Sequence, residues 1–232
     1  MGPGPVPQGC GQLSNGPDTN GAHWHPSSNF GPRRDGLQPR LIVLHYTAMD
    51  SAQAALDRLC DPQAEVSAHY LIGNDGMLWQ MVAEGNRAWH AGAGEWHGQG
   101  DINSRSIGIE LDNRGTHPFS QPQMTRLEKL LADIMTRWDI PPEGVIGHSD
   151  MAPGRKFDPG SRFDWERLAR LGLAQARGRQ GNTEVPFREA ARAVGFTAPV
   201  DDETLLAGVR LRFRPWGIGP LCQDDLLALP PA

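Results

Sequence analysis

Cysteine is scarce in this sequence. Cys10, Cys60 and Cys222 are the only three in 232 residues, and they lie far apart. An odd, scattered set excludes a disulfide framework and a cysteine-rich zinc finger, and fits a reducing compartment. Long apolar runs are missing too: none approaches the ~20 residues that cross a bilayer, and the N-terminus lacks the apolar core of a secretory leader. A cytoplasmic location is the expectation, with a periplasmic one as the alternative if a leader has been removed. Basic runs are also absent. With 22 Lys and Arg against 27 Asp and Glu the net charge is −5, so no footprint for nucleic acid exists.

What remains is enough chain for one large domain and a small appendage. Residues 1–24 are rich in Gly, Pro, Asn and Ser without hydrophobic period and read as an irregular arm. His23 at its end and His25 just beyond it are assigned a solvated role, whereas Phe30 is expected to anchor the stretch from His25 to Arg34 on the domain. From 25 to 174 the order is strand, helix, hairpin, strand, helix, strand, closing helix. It predicts an α/β fold with a mixed central sheet flanked by helices.

The individual signals are local. Leu41 to Leu44 is a continuous apolar run of the kind buried in mid-sheet. Ser51 caps a helix to Cys60, and Val66–Ile72 and Met77–Val82 flank the turn Asn74-Asp75-Gly76 as a hairpin. Ser104 to Leu111 alternates, with Ile107, Ile109 and Leu111 on one face and Ser106, Gly108 and Glu110 on the other. Ser120 and Gln123 form a capping box opening a long helix with Met124, Leu127, Leu130, Leu131, Ile134 and Trp138 at helical spacing. Val145–Ile146 is a short strand, and Asp164 caps a helix through Leu171. Residues 175–182 read as a linker, and 183–232 as a small module of three helices starting near Phe187, Asp202 and Gln223.

Chemistry concentrates in Gly147-His148-Ser149-Asp150 through Lys156-Phe157-Asp158-Pro159-Gly160, whose Pro and Gly content predicts a loop. His45 follows the first strand, where open α/β sheets place ligands. For His45 alone, a metal ligand and a core imidazole remain equal readings, and the strand-interior His69 reads as structural. Two Trp-His pairs, Trp89-His90 and Trp96-His97, sit in a Gly-rich loop suited to a sugar or peptide. Recognition is favoured for His90 and left open for His97. Glu110 at a strand end is a candidate base, and Gly108 would admit a close neighbour beside it. His45, His148 and Asp158 would make a catalytic metal pattern with an open fourth position, although their spacing is not diagnostic.

The segments Leu44-His45-Tyr46-Thr47-Ala48-Met49, Val66-Ser67-Ala68-His69-Tyr70, Arg87-Ala88-Trp89-His90-Ala91-Gly92, Ser106-Ile107-Gly108-Ile109-Glu110 and the 147–160 loop resemble, in order, the zinc-dependent type-2 N-acetylmuramoyl-L-alanine amidases. The likeness runs from His25 to Leu173 and is nearest to the anhydro-muropeptide branch. T7-type phage lysozyme and the peptidoglycan recognition proteins are more distant relatives. The resemblance implies one Zn2+ held by His45, His148 and Asp158, with Glu110 and Lys156 catalytic and His90 and Asn113 along the substrate groove. It implies hydrolysis of the bond between the lactyl group of N-acetylmuramic acid and L-alanine, with anhydro-muropeptides or the sacculus as partner. The alternative is a non-catalytic peptidoglycan-binding protein. The C-terminal module faintly resembles helical peptidoglycan-binding domains.

Overall fold

The computed structural model describes residues 16–180 and 183–231. Cys10, most of the arm and the end of the linker lie outside the described residues. In chain order the elements are β1 (His23–Trp24), β2 (Phe30–Pro32), β3 (Leu41–Tyr46), α1 (Ala52–Cys60), β4 (Tyr70–Ile72), β5 (Leu78–Gln80), β6 (Asn86–Ala88), α2 (Ile102–Arg105), β7 (Ser106–Leu111), α3 (Gln121–Trp138), β8 (Val145–Gly147), α4 (His148–Met151) and α5 (Trp165–Arg170). The C-terminal helices are α6 (Phe187–Val194), α7 (Asp202–Phe213) and α8 (Gln223–Ala228). Six strands form one mixed sheet in the order β1-β5-β4-β7-β3-β8, with β4 and β5 antiparallel and the other pairs parallel.

Side-chain alternation divides the sheet into two faces. Ile42, Leu44, Ile107, Ile109 and Leu111 bury against Met124, Leu127, Leu130, Leu131 and Ile134 of α3, joined by Trp165 and Leu168 of α5. Ser51 accepts from Ala54 N, Ser120 from Gln123 N and Asp164 from Arg167 N, so the expected caps start α1, α3 and α5. On the opposite face, Leu71 packs with Leu56 and Leu59 of α1, while Val43 and Ile146 pack with Phe187, Phe196, Leu205 and Phe213. The C-terminal helices thus share a core with the sheet. Arg212 of α7 lies 3.4 Å over the Trp165 ring and donates to Val145 O at 3.2 Å. The face between α1 and the C-terminal helices holds the site.

Three local expectations change. Ser104 and Arg105 close α2 rather than open β7, because Arg33 collects the carbonyls of Asn103, Ser104 and Ser106 at 3.2, 3.0 and 3.0 Å. β4 is shorter than Val66–Ile72, although the His69 backbone still bonds Gly108 and Met81. The 147–160 segment opens with the four-residue helix α4, fixed where Asp150 accepts from Gly147 N at 2.8 Å.

The N-terminal boundary also falls earlier than 25, since β1 pairs with β5 and Asp18 accepts from Glu84 N at 2.8 Å. Glu84, 1% exposed, is a hub. It accepts from Tyr70 Oη at 2.6 Å, from Arg137 Nε at 2.7 Å and from Trp138 Nε1 at 2.6 Å. Thr19 joins it, 3.0 Å from Tyr70 Oη and 3.1 Å from Arg137 Nη2.

Candidate metal centre

β3 and β7 run parallel, with His45 opposite Glu110 and Val43 opposite Gly108. In such a pair, register partners project to the same face. His148 begins α4 directly after β8, β3's other neighbour, and Asp158 returns from the following loop. Their donor atoms converge: His45 Nδ1 and His148 Nδ1 lie 2.9 and 3.0 Å from Asp158 Oδ2 and 2.9 Å from each other, across 103 positions of sequence. All three residues are at least nine-tenths buried.

The donor set fits a metal ion. Three ligands about 2.0–2.1 Å from a tetrahedral zinc ion lie roughly 3.3 Å apart, close to the spacing found. The remaining ring nitrogens are held by protein. His148 Nε2 is 2.9 Å from the Ala91 carbonyl, which can only accept, so Nδ1 presents a lone pair to the cluster. His45 Nε2 is 3.0 Å from His90 Nδ1. Burial, then the neighbouring His148, lowers the pKa of His45 to about 4, which keeps the ring neutral as a ligand must be. Burial alone would raise the Asp158 carboxyl, but its contacts with His148 and His45 hold it well below the usual carboxylate range. Two imidazole nitrogens facing one carboxylate oxygen form a site for a divalent cation. Among the described residues it is the sole such cluster.

The cluster opens into a cavity of about 340 Å³ lined by Tyr46, Trp89, Glu110, Lys156 and Phe157 among others. A larger cavity, about 560 Å³ between α5, the linker and α7, holds none of these groups. Glu110 Oε2 is shielded from water and has no hydrogen-bond partner. Burial, then the Asp158 charge, pushes its pKa up to about 8, opposed by the Lys156 charge. Arg155 braces the rim, donating to Ala91 O at 2.8 Å and to Ala93 O.

The structure therefore brings His45, His148, Asp158, Glu110, Lys156 and His90 together along the cavity, whereas Asn113 lies outside its lining. Both His90 ring nitrogens are engaged by protein, one by His45 and one by Ser106. Asn113, 2% exposed, binds Gly115 N at 2.7 Å and faces His117 and Pro118, bracing a loop outside the cavity lining. His69 is structural, accepting from Gly108 N at 3.0 Å. The second Trp-His pair lies outside the cavity lining. Trp96 is buried edge-on to Phe196 at 5.0 Å, and the exposed His97 donates its backbone N–H to Gly195 O just after α6.

Residues 35–161, which carry every one of the metal-site residues, match the family model Amidase_2, N-acetylmuramoyl-L-alanine amidase. The chain belongs to the N-acetylmuramoyl-L-alanine amidase family. It is similar to N-acetylmuramoyl-L-alanine amidase AmiD of Escherichia coli, 40% identical over 183 residues, 72% of this chain and 63% of that relative. It is also similar to 1,6-anhydro-N-acetylmuramyl-L-alanine amidase AmpD of Haemophilus influenzae, 36% identical over 61% of this chain and 86% of the relative. Among solved structures, E. coli AmiD in complex with the substrate anhydro-N-acetylmuramic acid-L-Ala-D-gamma-Glu-L-Lys superposes with a TM-score of 0.72. That pair is 32% identical, over 84% of this chain and 89% of the other. AmpDh3 of Pseudomonas aeruginosa with anhydromuramic pentapeptide gives 0.72 at 29% identity, over 91% and 94%. Both likenesses reach past 174 into the C-terminal helices of this amidase-family chain. Among the described residues no helix is long and apolar enough to cross a membrane.

Proposed function

We propose that this chain is a zinc-dependent amidase. It hydrolyses the amide between the lactyl group of N-acetylmuramic or 1,6-anhydro-N-acetylmuramic acid and L-alanine, in peptidoglycan or its soluble fragments, as part of cell-wall turnover. The observation that carries the reading is the convergence of His45 Nδ1, His148 Nδ1 and Asp158 Oδ2 beside Glu110 in an open cavity. Two imidazoles and one carboxylate with a free fourth position suit catalytic zinc. Soluble anhydro-muropeptides are the favoured substrate, since E. coli AmiD and P. aeruginosa AmpDh3 were each solved with an anhydromuramic peptide.

When bound, the ion supplies Lewis acidity toward the scissile carbonyl and brings the pKa of water to about 7. The chain's own residues do the rest. Glu110, in the same cavity, takes the proton from the attacking water and returns it to the leaving amine of L-alanine. A cation on the neighbouring ligands favours its carboxylate form, offsetting the upward push of burial. Lys156 places an ammonium where the carbonyl oxygen gathers negative charge. Trp89 and Phe157 offer flat apolar faces to the sugar and peptide. Residues 25–174 with the β1 strand supply this machinery, and 183–232 serves as a docked module.

The test is incubation of the full chain with anhydro-muropeptides, with and without a chelator, followed by mass analysis. A free lactyl carboxylate paired with a free L-alanine amine, formed only with metal, is the expected result. Peptidoglycan retention with no product under saturating zinc would replace the enzyme by a binding protein.

A further inference from the structure

Asn103, 7% exposed on α2, receives two consecutive backbone N–H groups on one oxygen: His90 N at 3.0 Å and Ala91 N at 2.8 Å. Those two residues are the outer partners of the two imidazole ligands. The His90 ring holds His45 Nε2, and the Ala91 carbonyl holds His148 Nε2. One amide side chain thus positions the backing of both histidines.

A second constraint comes from Ser106, the first residue of β7. Its hydroxyl donates to Ile102 O at 2.6 Å, and a carbonyl can only accept. The single hydroxyl proton is spent there, so Ser106 Oγ can only accept from His90 Nε2, 3.2 Å away. His90 then carries its hydrogen on Nε2 and offers a lone pair at Nδ1. His45 must donate from Nε2, which leaves its own Nδ1 lone pair facing Asp158. The fit is tight: a Cβ at Gly108 would lie 2.4 Å from His90 Cγ, so the ring rests directly on the β7 backbone.

We propose that Asn103 and Ser106 are positioning residues of the metal centre, acting through His90 and the Ala91 carbonyl to hold both imidazoles in the tautomer that turns Nδ1 toward the ion. The proposal rests on the metal reading above. Nothing in it requires His90 to touch substrate. Partners of this kind are typically worth 10–100-fold in metal affinity.

The experiment uses the full chain stripped of metal, titrated with zinc against a chromophoric chelator, for wild type, Ser106→Ala, Asn103→Ala and Asn103→Asp. Thermal melting of each metal-free variant checks folding. Ser106→Ala and Asn103→Ala are expected to bind zinc about 10–100-fold more weakly, while Asn103→Asp, which keeps an oxygen acceptor, recovers most of the loss. Long-range nitrogen–proton NMR of the zinc-loaded wild type is expected to show His90 protonated on Nε2, with that preference lost in Ser106→Ala. A melting loss without an affinity change, or His90 protonated on Nδ1 in wild type, overturns the proposal. Should Asn103→Ala fail to fold, Ser106→Ala and the wild-type tautomer still decide. Failure of wild type itself to bind zinc defeats the metal reading, and is seen before any variant is compared.

Discussion

His45 and Glu110 are register partners across the parallel pair β3 and β7, so the candidate metal ligand and the proposed proton acceptor leave the sheet from adjacent strands on one face. Strand spacing of about 4.8 Å holds them apart without any loop. Because Glu110 is absent from the donor cluster, Glu110→Gln should retain zinc at one equivalent by elemental analysis. Turnover should fall by about 10²–10⁴-fold, the usual contribution of a positioned base. Loss of metal in that variant would show the carboxylate to be a ligand.

Lys156 shares the cavity with Glu110, and its charge is felt at both Glu110 and His45. Lys156→Met, which keeps length and removes charge, should lower kcat by about 10²–10³-fold, the scale of one lost electrostatic stabiliser. Zinc affinity should not fall, since a nearby cation opposes metal binding. A variant whose KM rises while kcat holds would assign Lys156 to substrate binding instead.

The raised Glu110 pKa has a signed consequence for the metal-free protein. Its neutral form contributes stability that is fully present below the ordinary value of 4.5 and is lost as pH rises through about 8. Melting of metal-free wild type should therefore fall between pH 5 and pH 8 relative to Glu110→Gln, by on the order of a few kcal/mol at the upper end. Parallel melting curves for the two proteins over that range would contradict the buried-carboxyl assignment.

Gly108 is required by packing, since an added Cβ would strike His90 Cγ, Cδ2 and Nδ1 at 2.4–2.6 Å. Overpacking of this sort costs about 1–3 kcal/mol. Gly108→Ala should lower the melting temperature and weaken zinc binding together, because the ring it displaces backs His45. Unchanged zinc affinity at a lowered melting temperature would separate the two.

The C-terminal helices complete the core around Val43, Ile146 and Met151, with Phe196 1% exposed among them. Phe196→Ala should cost about 3–5 kcal/mol, and calorimetry should give one transition for the whole chain. Deleting 183–232 should yield an aggregation-prone catalytic half. A soluble truncation melting near wild type would show the module to be dispensable to the fold.

Much of this was legible because the signals are local. The run Leu41–Leu44 placed His45 at a strand end, Ser51, Ser120 and Asp164 marked helix starts, and the alternation in β7 put Gly108 and Glu110 on one face. The space reserved at Gly108 was anticipated, but its occupant, His90, arrives from another loop. What stayed hidden depends on distant partners. Ser104 and Arg105 continue the strand pattern and are turned into α2 by Arg33, some 70 positions earlier. Trp96 carries no mark of facing Phe196, 100 residues on. Asn103 has no local pattern at all, since its meaning lies in two amides it meets only after folding.

The Glu84 hub has a mechanical consequence. A pull entering the chain at Asp18 does not peel β1 away directly. It meets the bond from Glu84 N to Asp18, and through Thr19 the Tyr70 and Arg137 groups gathered on the Glu84 carboxylate. Load is thereby shared with the last turn of α3 through Arg137 and Trp138, with β4 through Tyr70, and with the start of β7 through Arg33, which donates to both Glu84 O and Ser106 O.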